Sequence, residues 1–64
     1  IMMGKSQFKL AADFVVDHCL EKGYRTYADS DYYWAYRLLF ENTSNTFDLN
    51  KFREYIQKRI NGKD

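Results

Sequence analysis

The chain has 64 residues, with ten Lys+Arg against nine Asp+Glu, one His, one Cys and no Pro. A chain this short makes one domain at most, and a domain of that size is marginal on its core alone. A net charge of +1 excludes a heavily basic nucleic-acid-coating chain and an acidic mimic.

One Trp, six Tyr and five Phe, with 45% hydrophobic residues, argue against disorder. The longest apolar or aromatic run, Tyr32–Tyr36, is far shorter than the roughly 20 residues of a membrane span. No membrane association and no secretory signal are expected. A single Cys cannot form an internal disulfide, so a reducing, cytoplasmic setting is expected. Phe, Tyr, Ile, Asn and Lys outnumber Gly, Ala, Arg and Pro, a bias of AT-rich coding that suits a small regulatory protein of phage or bacterial type. Residues 1–5 are expected to be disordered or a cloning remnant, and 1–64 to form one helical domain.

The periodicity predicts three helices, over about 6–22, 30–42 and 49–60, and therefore an all-α three-helix fold. In the first, Ser6 is placed to cap the start and Gly23 to end the helix in the left-handed conformation. Phe8, Ala11, Ala12, Val15, Val16 and Cys19 share one face. Leu10 and Leu20 edge the opposite, charged face of Lys9, Asp13, Asp17 and Glu21.

In the second helix, Asp29 or Ser30 is the expected cap, with Thr26 as an earlier alternative. Tyr32, Tyr33, Ala35, Tyr36, Leu38, Leu39 and Phe40 cover well over half its circumference. Such a helix is expected to be central, or to keep one face for a partner. The third helix is expected to start at an Asp48 cap, with Phe47 and Phe52 as a hydrophobic staple. It is expected to stop at Asn61-Gly62 and to bury Leu49, Phe52, Ile56 and Ile60. The expected core is Phe8, Val15, Cys19, Tyr36, Leu39, Phe40, Phe52, Ile56 and Ile60.

The residue types for chemistry are sparse. His18 and Cys19 are adjacent on a helix, so their side chains diverge by about 100° and make no catalytic dyad. One His and one Cys do not fill a zinc site, and three Gly provide no phosphate loop. Asp29-Ser30-Asp31 lacks the Gly and the terminal Glu of a calcium loop. No catalytic residue, metal, cofactor or small-molecule substrate is expected, and the chain reads as non-enzymatic.

The distinctive feature is the aromatic and arginine content around the first connection and the second helix. Tyr24, Arg25, Tyr27, Trp34 and Arg37 are residue types enriched at binding hot spots. The leading expectation is a protein-interaction module that binds or blocks another protein, or itself as a homodimer, through these five. The alternative is a helix-turn-helix-like nucleic-acid-binding domain. Its reading helix is the third, where the C-terminal stretch 46–64 holds five basic and three acidic residues. Asn50, Lys51, Arg53, Gln57 and Lys58 would face base edges and phosphates. Against it stand a long second connection and Glu54 in the middle of the reading face.

Overall fold

A computed structural model describes residues 5–62. The fold is all-α: helix α1 spans Lys5–Lys22, α2 spans Asp31–Thr43 and α3 spans Leu49–Gly62. A single 3-10 turn, Tyr27–Asp29, lies in the first connection. No strand occurs among the described residues. Residues 1–4, expected to be disordered or a remnant, lie outside the described residues, and Lys5 already belongs to α1.

The helix stops and starts follow from local chemistry. Gly23 takes φ +77°, the left-handed conformation that ends α1 without the clash a Cβ brings. Tyr24 N–H then donates back to the Cys19 carbonyl at 2.8 Å, satisfying one of the terminal acceptors. Thr26 caps the 3-10 turn, accepting from Ala28 N–H at 3.3 Å. Asp48 caps α3, its Oδ1 accepting from Lys51 N–H at 3.1 Å. The Phe47 and Phe52 rings meet at 5.2 Å across that start, which is the staple read from the sequence.

Three terminal details differ from the sequence reading. Ser6 lies inside α1 rather than capping it, because the helix begins by Lys5. Ser30 occupies the N-cap position of α2 but makes no side-chain capping bond. Its hydroxyl is turned inward and shares a 2.8 Å hydrogen bond with His18 Nδ1. Helix α3 continues through Asn61 and Gly62 instead of stopping before them.

The core gathers on α1. Ala11, Ala12, Val15, Val16 and Cys19 are all buried, so the apolar face read from its periodicity is the one that packs. Helix α3 lies against α1 over the most extensive contact, and α2 covers a smaller part of it. Hence α1 is the central helix, and α2, expected at the centre from its apolar content, is peripheral. Phe8 of α1, Phe40 of α2, Phe47 of the second connection and Phe52 of α3 form a closed aromatic cluster with centroid separations of 4.9–5.9 Å. These rings tie all three helices and the second connection together.

Of the expected core, Val15, Cys19, Phe40, Phe52 and Ile56 are buried. Phe8, Tyr36 and Ile60 are packed against the core but only partly buried. So is Leu49 at the start of α3. Leu39 is a correction: 46% of it remains exposed, because no element among the described residues covers the outer side of α2. Tyr33, absent from the expected core, is completely buried and stacks on Phe52 at 5.9 Å.

Candidate interaction face

The five residues first singled out divide into two groups. Tyr24 and Tyr27 are partly buried and pack against the core. Tyr24 sets its ring against the edge of His18 at 5.6 Å, and Tyr27 lies 4.6 Å from Tyr33. Arg25 is exposed, while its carbonyl accepts from Gln57 Nε2 at 2.8 Å. Trp34 and Arg37 are brought together on the flank of α2, the guanidinium 5.3 Å from the indole centroid. The indole N–H donates to the Ala28 carbonyl at 2.8 Å, and Arg37 Nε pairs with Glu41 Oε2 at 3.4 Å. Of the five, Arg25 and Trp34 are open to solvent, and both also fasten the first connection.

The five α3 residues are arranged for structure as much as for contact. Gln57 clamps the first connection from both ends of its amide: Oε1 accepts from Tyr27 N–H at 3.3 Å and Nε2 donates to Arg25 O. The same Nε2 reaches Asn61 Oδ1 at 3.0 Å. Arg53 donates to Asn50 Oδ1 at 2.6 Å, so each occupies the other's polar end. Lys51 and Lys58 are exposed, as is Glu54 between them. The second connection, Ser44 to Asp48, is longer than a tight helix-turn-helix turn, and α3 packs chiefly on α1.

A different surface emerges along α1 and α2. Phe8 meets Phe40 near one end of the pair, Phe14 meets Tyr32 and Tyr36 midway, and His18 reaches Ser30 at the other. The two helices are therefore antiparallel. Between them runs a shallow groove of about 380 Å³ lined by Leu10, Phe14, Tyr36 and Leu39. Tyr32 extends it, its ring 5.0 Å from Phe14. Leu38 and Trp34, one turn apart on α2, continue the apolar surface over the helix crest. Leu10 is 68% exposed and Leu38 64%, so about two thirds of each is open to solvent.

This face was only half visible in the sequence. The excess of apolar residues on α2 was legible, and so was the placement of Leu10 outside the main stripe of α1. Phe14 gave no separate signal, because it is one residue from the buried Val15 and sits at the boundary of the stripe.

Cys19, Tyr33 and Tyr55 hold their protons more tightly than usual. Burial pushes the Cys19 thiol above its ordinary 9.0, with Asp29 adding to the shift. A raised thiol pKa suppresses the nucleophilic thiolate. Cys19 Sγ points at the Thr26 carbonyl, 3.9 Å away, and His18 Nδ1 is engaged by Ser30, so the two do not pair. Burial likewise raises the Tyr33 phenol. Arg37 lies close enough to oppose that shift, but no group makes a hydrogen bond of good geometry to the buried hydroxyl. Tyr55 is raised by burial and by donating its O–H to the Asp13 carboxylate, which favours the protonated phenol. Among the described residues, no three His, Cys, Asp or Glu side chains converge as metal ligands, and no helix is long and apolar enough to cross a membrane.

In comparison with known proteins, the chain matches no family, no curated protein and no solved structure, so its functional reading rests on its own geometry.

Proposed function

We propose that this chain is a non-enzymatic protein-interaction module that docks through the α1–α2 face. The supporting observation is the uncharged apolar surface of Leu10, Phe14, Tyr32, Leu38 and Leu39, left outside the core by the packing of α2. A helix apolar around most of its circumference is normally covered on more than one side. Helix α2 buries only Tyr33 and Phe40. The largest apolar patch on a soluble monomer, typically about 300–600 Å², is often a functional surface. Trp34 and Arg37 flank this face and supply the amphipathic edge typical of hot spots. The single thiol, buried and unpaired, suits a cytoplasmic setting. The rival nucleic-acid reading through α3 has weaker support, because the Gln57 amide and the Asn50 carbonyl oxygen are already committed within the fold.

The test is the size of the tagged chain in nuclease-treated extract of the cells that make it. Wild type is expected to elute well above its own 7.7 kDa. Leu39→Glu, with an unchanged circular dichroism spectrum, is expected to elute as the monomer. Wild type eluting as the monomer would overturn the reading.

A further inference from the structure

We infer that the occupant of the α1–α2 face is a second copy of this chain, related by a two-fold axis; the inference rests on the docking role proposed above. Three observations carry it. The first is area. Leu10, Phe14, Tyr32, Leu38 and Leu39 are each 42–68% exposed. At about 200 Å² per large side chain they present on the order of 500 Å² of apolar surface. That is within the range of the largest patch on an ordinary monomer, and about two thirds of the ~800 Å² each partner gives to a stable interface. A narrow polar rim supplies the remainder.

The second observation is charge. None of the five carries one, and the nearest charges on α1, exposed Asp17 and Glu21, lie at one end of the Leu10–Phe14 row. In a two-fold interface each patch meets itself, and a charged patch would meet its own sign. The apolar centre of this face meets itself without repulsion. The third is shape. Two antiparallel helices form a two-helix layer whose exposed positions recur at 10 and 14 on α1 and at 32, 35 and 39 on α2. This is the three-and-four spacing of a helix–helix seam. Two such layers, face to face, close into a four-helix bundle of the common antiparallel kind. Helix α3, packed on α1 and through Phe52 on α2, stays outside that bundle.

The test is sedimentation equilibrium of the purified chain from about 1 μM to about 1 mM, a range that reaches weak as well as micromolar association. The expected result is a concentration-dependent rise to about 15 kDa, twice the 7.7 kDa of the chain. Leu39→Glu and Leu10→Glu are each expected to weaken association by about 100-fold or more, because a carboxylate would be buried without a partner. Both side chains are exposed in one copy, so both variants are expected to keep the wild-type helix content. Lys58→Glu, on α3, is expected to associate like wild type. A wild-type chain that stays at 7.7 kDa throughout overturns the second-copy assignment. If its complex in extract still dissolves on Leu39→Glu, the docking face stands and its occupant is a different protein. Equal dimerisation by wild type and both Glu variants would also overturn the assignment.

Discussion

Tyr33 shows how a single side chain can be essential by its ring and dispensable by its hydroxyl. The ring stacks on Phe52 and contacts Tyr27 and Trp34, whereas the buried oxygen has no hydrogen-bond partner. A buried polar atom without a partner costs stability. Tyr33→Phe is therefore expected to leave the unfolding free energy unchanged or higher, by up to about 1 kcal/mol, in urea titrations. A loss above about 1.5 kcal/mol would show that the hydroxyl is bonded after all. The same burial sets the alkaline limit of the fold. Cys19, Tyr33 and Tyr55 hold their protons more tightly folded than at their ordinary values of 9.0, 10.0 and 10.0. Above those values the unfolded chain loses protons that the folded chain keeps, so stability falls as pH rises. Stability is expected to be free of this loss below pH 9, to decline from there, and to decline less steeply above pH 10 in Tyr33→Phe and Tyr55→Phe. A wild-type slope shared by both variants would contradict this cause.

At the scale of elements, the first connection is held less by its own turn than by α3. Gln57 bonds Tyr27 N–H and Arg25 O, and it does so from 30 or more residues away in sequence. Gln57→Ala is expected to lower stability by about 1–3 kcal/mol, read as a shifted urea midpoint. If Gln57 were only a surface residue waiting for a ligand, the midpoint would not move. Helix positions were legible because they depend on local signals: the αL glycine at 23, the Asp48 cap and the Phe47–Phe52 staple all work within a few residues. The α1 stripe was legible because five of its six residues point into one core and the sixth, Phe8, packs against it. What periodicity could not rank was which helix lies in the middle. The small residues Ala11 and Ala12 let α1 accept neighbours closely, while the bulk of α2 is what faces out. Periodicity alone places Leu39 with its neighbours Tyr36 and Phe40, and only the packing shows that it lies outside the core. Gln57 was read as a base reader for a related reason: an exposed-looking amide on a helix face gives no sign of a distant loop that needs it.

For the whole molecule, the decisive fact is that a small chain with many apolar side chains uses them unevenly. One cluster of phenylalanines closes the junction of the three helices. A second set, Leu10, Phe14, Leu38 and Leu39, is left on the outside. The core of a domain this short supplies only a few kcal/mol, so covering the second set with another chain would add stability as well as function. The aromatic excess was visible in the composition; its location was not, since it depends on α2 packing on one side alone. The most direct test is covalent solvent labelling of the apolar side chains in concentrated protein and in cell extract, compared with a dilute sample. The account predicts that Leu10, Phe14, Leu38 and Leu39 are protected in both, while the equally exposed Leu20, outside the α1–α2 groove, stays reactive. Uniform labelling of all five at every concentration and in extract would contradict it.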